Sequence, residues 1–296
     1  MATQSHAINI LPRILLLTAV TLWGWTFIAT KILLEELGPV EIFALRLAIA
    51  VPLLGVLLLA RRTSLEFSRR DLIAIAVAGA IFGIHFVLQL TGLRTTTATN
   101  TGWIITFTPL TLAVLSWLLF REPIGRGIAG GIGIATVGIV LLVSRGHPAD
   151  LGWVRSVGDW LILLSTFTWA LYTVATRNIV MRRDPLAVTF AISVGSAIAI
   201  AIPFAVIADA GAILSLSLRG LAALLYLAVA GSVLGQWFWQ VGVARLGASR
   251  AGLYLYLEPI ATLVLAVPML GEAFGAWVAI GGGLVLAGVY VGQRDR

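Results

Sequence analysis

The feature that most constrains this chain is a succession of apolar runs, each long enough to cross a lipid bilayer and separated by short loops. A membrane-crossing helix takes about 20 mostly apolar residues, with a range of roughly 17–25. Ten segments meet that length, approximately at 11–33, 39–60, 71–92, 99–120, 127–144, 159–181, 186–207, 218–244, 249–270 and 273–292. The runs are too long and unbroken for barrel strands with period-2 alternation, so helices are expected. The eighth run is overlong, and its helix is expected to end early or tilt. Only 11% of the residues are charged, against about 25% in a soluble domain, which is too few to solvate a surface of this size. Lipid is therefore the expected solvent. The first run begins about ten residues in and has no small-residue cleavage site after it, so it reads as a retained helix, not a signal peptide.

The net charge of +7 does not imply a nucleic-acid partner, because the basic residues sit in short loops between apolar runs. They report orientation instead. Of the 20 Lys and Arg residues, Lys31, Arg46, Arg94, Arg145, Arg155 and Arg219 fall on one side of the membrane, and the other fourteen fall on the side of the termini. Positive residues stay cytoplasmic, so both termini are expected in the cytoplasm. The chain has no cysteine, which excludes disulfides and thiolate metal sites.

An internal repeat organises these segments. TNTGWIITFTPLTLAVLSWLLFRE, Thr99 to Glu122, is echoed by SRAGLYLYLEPIATLVLAVPMLGE, Ser249 to Glu272. Gly252 falls on Gly102, Pro259 on Pro109 and Glu272 on Glu122. Trp23-Gly24 and Ala29-Thr30-Lys31 match Trp169-Ala170 and Ala175-Thr176-Arg177, and Gly92 matches Gly242. Gly131, Gly133 and Gly138 match Gly281, Gly283 and Gly288. The halves, 1–148 and 149–296, each hold five segments. An odd number forces the second half to enter from the opposite face. The expected fold is therefore an all-α integral membrane protein of ten transmembrane helices, two inverted five-helix repeats around a central cavity. Such repeats place a substrate site near the midplane. The second and seventh segments match least well, with Ser193 opposite Arg46.

This pattern resembles the EamA-type members of the drug/metabolite transporter superfamily. The resemblance rests on the two Pro-to-Glu helices with the Gly-rich helices that follow, and on the W…ATK and W…ATR stretches. It covers nearly the whole chain and specifies fold better than substrate. Aromatic enrichment in the central helices makes the chain similar to the YddG-type aromatic amino acid exporters of that group. The resemblance implies a cavity formed by helices 1, 3, 4, 6, 8 and 9, with helices 5 and 10 packed to the side.

Ionisable side chains inside a bilayer cost about 2.5–3.5 kcal/mol each on insertion scales, so they face protein or water. His85 shares a helical face with Phe82 and Gln89, as a cavity wall, a proton acceptor or a packing contact. Glu258 precedes Pro259, with Tyr254 one turn earlier. It reads equally as a substrate or proton site and as a kink-fixing residue. Arg46 reads first as a side chain snorkelling to the outer surface, then as a partner of Glu41 or Glu35, and last as a substrate contact. Trp and Tyr usually serve as interfacial belts. Among those on helices that the resemblance assigns to the cavity, Trp103 and Trp169 are the leading substrate candidates. Ser232, Gln236, Trp239 and Gln240 share a face in the eighth segment. Rings with amide and hydroxyl neighbours suit a bulky, partly apolar zwitterion. The Gly-xxx-Gly spacings read as close helix contacts.

No HExxH, GxSxG or P-loop pattern occurs, and His6, His85 and His147 are dispersed. No catalytic residue, metal or cofactor is expected. The expectation is a multi-pass transporter in the inner (cytoplasmic) membrane, not an enzyme, exporting small organic metabolites, most of all amino acids with an aromatic bias, by alternating access. Its substrate would meet Trp103, Trp169, His85, Gln89, Tyr254, Glu258 and Trp239. The alternatives are a multidrug or nucleotide-precursor exporter of the same fold, an intramembrane enzyme and a non-transporting scaffold. Two halves in one chain make a monomer sufficient.

Overall fold

The computed structural model of the chain describes residues 10–96, 101, 104–121, 124–144, 147, 156–262, 264 and 275–294. Every regular element among them is helical. In chain order they are α1 (Ile10–Leu34), α2 (Pro39–Arg61), α3 (Arg69–Thr95), α4 (Thr108–Phe120), α5 (Arg126–Ser144), α6 (Val157–Val180) and α7 (Pro185–Ile207). A single turn, Ala210–Leu214, leads into α8 (Leu218–Leu246), followed by α9 (Ala248–Gly252), a 3₁₀ stretch (Leu253–Leu257) and α10 (Ala276–Gly292). Six of these, α1, α2, α3, α6, α7 and α8, are long and apolar enough to cross a membrane. Leu59, Ile202 and Val206 are among the large apolar side chains left exposed, as a lipid-facing surface requires.

Local chemistry sets the helix ends. Ser68 and Asp71 form a reciprocal capping box at the start of α3, and Ser156 and Asp159 form another at the start of α6. Asp184 caps α7 by accepting from the backbone N–H groups of Leu186 and Ala187. Asp71 also accepts from Arg182 and Arg183, which ties the start of α3 to the loop before α7. At the other end of the bundle Lys31 Nζ donates to the carbonyls of Leu93 and Thr96, completing the C-terminal end of α3.

Three antiparallel helix pairs build the frame. Along α5 and α10 a Cβ on Gly131 would lie 2.6 Å from the Gly288 carbonyl, and one on Gly288 2.6 Å from the Gly131 carbonyl. Gly138 and Gly281 are related in the same reciprocal way. The two backbones touch there, and only hydrogen fits between them. In α3 and α6, Gly92 abuts Gly158 and Ile162, His85 meets Ser165, and Phe82 meets Trp169 and Tyr172. In α1 and α8, Gly242 abuts Leu16, Trp23 meets Gly235 and Trp239, and Tyr226 Oη donates to the Leu22 carbonyl.

The prolines act as expected in place and differently in form. Proline lacks an N–H and clashes with the carbonyl one turn back. Regular α-helix resumes at Thr108, immediately before Pro109, after a turn at Thr106–Phe107. Before Pro259 the chain tightens into the 3₁₀ stretch Leu253–Leu257. At both places the winding changes over the preceding turn. The overlong eighth segment neither ends early nor breaks: α8 absorbs its length in a π-helical stretch, Leu227–Gly235. Such stretches widen the helix by one residue per turn and often occur at functional sites.

Candidate functional site

The frame encloses a cavity of about 60 Å³. Its wall takes Trp23, Thr26 and Phe27 from α1, Arg46 from α2, and His85, Phe86 and Gln89 from α3. Ile105 and Thr108 come from the start of α4 and the turn before it, and Ser165, Thr166 and Trp169 from α6. Gln236 of α8, Leu255 of the 3₁₀ stretch and Glu258 complete the wall. No described residue of α5 or α10 contributes.

Aromatic rings form one side. Trp23 and Trp169 meet edge to face, with centroids 5.1 Å apart, and Trp239 packs against both at 5.5 and 5.8 Å. Phe86 stacks on Phe43 and carries the edge of His85. Trp23 is fixed by its Nε1–H, which donates to the Gly231 carbonyl in the π-helical stretch. The Trp169 Nε1–H is buried and has no partner among the described residues.

The polar groups are few and poorly satisfied. His85 is buried, and its Nδ1 lies 2.9 Å from the Ser165 carbonyl. A carbonyl only accepts, so Nδ1 carries a proton in this contact, and Nε2 is left for another partner. Gln236 lines the cavity with both amide atoms buried and without a partner among the described residues. Buried amides are nearly always hydrogen-bonded, so Gln236 and the Trp169 N–H are the groups of this wall with hydrogen-bonding capacity to spare.

Arg46 is 3% exposed, and its Nε and Nη2 donate to Ser232 Oγ at 3.2 and 3.1 Å. Its guanidinium carbon lies 4.5 Å over the Phe86 ring, a cation–π contact. It does not snorkel, nor does it pair with Glu41, whose carboxylate accepts from the Gly38 and Asp209 backbone N–H groups. The π-helical stretch presents Ser232 to it, and Gly231 leaves the room its side chain needs. Glu258 is 7% exposed, and its carboxylate has no hydrogen-bond partner or counter-ion among the described residues. Its backbone is held against α1: a Cβ on Gly24 would lie 2.7 Å from the Glu258 carbonyl, and Thr262 Oγ1 donates to the carbonyls of both residues.

Of the side chains expected from sequence, His85, Gln89, Trp169 and Glu258 come together on the cavity wall. Trp239 stands directly behind it, fully buried against Trp23 and Trp169. Tyr254 is buried but not on the wall, which takes Leu255 from that turn. The tighter 3₁₀ winding rotates the face that an α-helix would share between Tyr254 and Glu258. Trp103 lies outside the described residues. Ser165 and Thr166 were not anticipated. Their signal was available: Ser165 lies one turn before Trp169 in α6 and so on the same face. Among the described residues no three His, Cys, Asp or Glu side chains gather as a metal site.

The chain is similar to known proteins. The EamA-like transporter family model matches the chain twice, over residues 11–144 and 156–292. An uncharacterized transporter of Archaeoglobus fulgidus is 29% identical over 286 residues, covering 96% of this chain and 97% of its own. A probable amino-acid metabolite efflux pump of Salmonella typhimurium is 23% identical over 286 residues, covering 94% and 93%. A solved crystal structure of a protein with 20% identity superposes with a TM-score of 0.77 over 95% of each chain. The chain therefore belongs to the EamA-like transporter family and is a multi-pass membrane transporter.

Proposed function

We propose that this transporter exports amino acids and related small metabolites from the cytoplasm, with a preference for aromatic side chains, through the cavity between α1, α3, α6 and α8. The observation that carries the reading is the pairing of Trp23 with Trp169 beside buried, unsatisfied polar groups at Trp169 and Gln236. Planar rings accept an apolar or aromatic side chain, and the polar groups fix its charged end. The amino-acid metabolite efflux pump of Salmonella typhimurium lends support as a relative over nearly its full length.

The mechanism we propose is alternating access by two inverted five-helix halves in a ten-helix protein with cytoplasmic termini, in the inner membrane, a single chain being sufficient. The supporting geometry is pseudo-symmetric. Gly131 and Gly281 are matched in the sequence repeat, as are Gly138 and Gly288, and the contacts pair Gly131 with Gly288 and Gly138 with Gly281. Matched helices that run antiparallel are what an inverted repeat requires. At about 60 Å³ the cavity is narrow against the roughly 300–1,000 Å³ of small-molecule sites, so binding calls for the halves to part.

A second reading keeps the same site for larger substrates. A chlamydial S-adenosylmethionine/S-adenosylhomocysteine transporter is 27% identical over 158 residues, about half of each chain. Uptake of a labelled panel of amino acids, nucleosides and S-adenosylmethionine into proteoliposomes decides between them. Aromatic amino acids moving fastest supports the first reading. A preference for nucleoside-bearing compounds supports the second, and flux no higher than in empty liposomes for every compound removes both.

A further inference from the structure

We propose that Arg46 and Glu258 are the two charged poles of the substrate site, so that the preferred substrate is a zwitterion carrying a carboxylate and an ammonium group on one small molecule. This rests on the export function proposed above and extends it to the charges that recognise the substrate.

Both side chains line the one cavity and both are more than nine-tenths buried. Neither has an ionic partner among the described residues, and they do not pair with each other. Arg46 uses Nε and Nη2 on a single neutral hydroxyl, that of Ser232. A guanidinium has five N–H donors in a planar fork, and the hydroxyl leaves the remainder for a carboxylate. A buried charge without a counter-ion is costly, and opposite charges free to approach would close that gap by pairing. Here the scaffold holds them apart. Ser232 and the Phe86 ring pin Arg46, while the Gly24 contact and Pro259 pin the backbone of Glu258.

A simple cation would neutralise Glu258 and leave Arg46 unpaired, and a simple anion would do the reverse. A zwitterion satisfies both and adds no net charge to the membrane interior. The repeat mate of Glu258 is Thr108, also on the cavity wall, so the acidic pole exists on one side only. Arg46 comes from the first half and Glu258 from the second. A ligand joined to both would hold the halves together, which couples occupancy to closure.

Binding of three matched probes to the purified full-length chain tests this: L-phenylalanine, phenethylamine (no carboxylate) and 3-phenylpropionate (no ammonium). Wild type is expected to bind L-phenylalanine at least about tenfold more tightly than either analogue, the loss of one charge-assisted contact. Arg46→Gln should weaken L-phenylalanine to the level of phenethylamine without changing phenethylamine. Glu258→Gln should weaken it to the level of 3-phenylpropionate without changing 3-phenylpropionate. The analogue that each variant still binds shows that the variant is folded. If Arg46→Gln does not fold, Arg46→Lys replaces it and should retain the preference for L-phenylalanine over phenethylamine at lower affinity. The proposal is overturned if L-phenylalanine binds and neither substitution alters discrimination among the probes, or if a folded variant loses all three alike. Wild type binding none of the three probes overturns the aromatic amino-acid reading itself, and this proposal with it.

Discussion

Trp23 and Trp169 stand edge to face beside the cavity, their ring centroids 5.1 Å apart and their planes at 89°. They occupy matched positions in the two halves of the sequence, so the repeat brings its own counterparts into contact. Their environments differ in one respect: the indole N–H of Trp23 is bonded to the Gly231 carbonyl, and that of Trp169 has no partner among the described residues.

That difference separates two variants. Trp169→Ala removes a ring packed among Trp23, His85, Tyr172 and Trp239, and truncation of a buried Trp costs about 3–5 kcal/mol. It should lower the thermal unfolding temperature in detergent and abolish flux. Trp169→Phe keeps an aromatic ring but removes two ring carbons together with the indole N–H, which has no partner among the described residues. It should unfold between Trp169→Ala and wild type, while substrate affinity falls about fivefold, the worth of one hydrogen bond. Equal affinity in Trp169→Phe and wild type would remove the indole N–H from the site.

The glycines of α5 and α10 give a prediction with an internal control. A Cβ on Gly281 would lie 2.6 Å from the Gly138 carbonyl and from the Leu142 backbone nitrogen, so α5 and α10 must separate to admit it. Gly283, two residues on, has nothing within 4 Å among the described residues. Gly281→Ala should destabilise by about 1–3 kcal/mol, as overpacking does. Gly283→Ala should be neutral or slightly stabilising through its better helix propensity. Thermal unfolding of the two variants side by side checks the packing without reference to transport.

A loop contact carries a pH signature. Glu36, between α1 and α2, accepts from the Ser217 backbone N–H at 2.8 Å and from Ser217 Oγ at 2.7 Å, at the N-terminal cap of α8. These bonds favour the ionised carboxylate and hold its pKa below the usual Glu value. A depressed folded-state pKa stabilises the fold above the unfolded value, about 4.3, and that contribution disappears as pH falls through the folded value. The stability difference between wild type and Glu36→Gln should therefore be constant at neutral pH and vanish in acid. A difference that persists well below pH 4 would contradict the assignment.

Much of this architecture can be read from the chain because it follows from local rules. Apolar length sets the spans, and the recurring glycines and prolines mark where backbones touch or helices change winding. Pro259 carries the kink read from its sequence context as a change of winding, and Pro109 sits at a matching change. The chemistry of the site was less legible. Arg46 was assigned to the outer surface because snorkelling is the usual fate of a lone membrane arginine. Its partner, Ser232, lies in the π-helical stretch of α8, a winding that no local rule foretells. Tyr254 was placed on the face of Glu258 by α-helical spacing, and the 3₁₀ turn before Pro259 gives that place to Leu255. Both departures arise from changes of helical winding, which alter the face a residue presents without altering its position in sequence.

The central claim is that one cavity between the halves serves both faces of the membrane, and cysteine accessibility tests it most directly. The chain has no cysteine, so a single substitution needs no prior engineering. Ser165 lines the cavity, and Ser165→Cys is nearly isosteric. In oriented membranes a membrane-impermeant thiol reagent should modify this cysteine from either side, and an aromatic amino acid should slow both reactions. Reaction from one side only, or at a rate that no amino acid changes, would contradict the account.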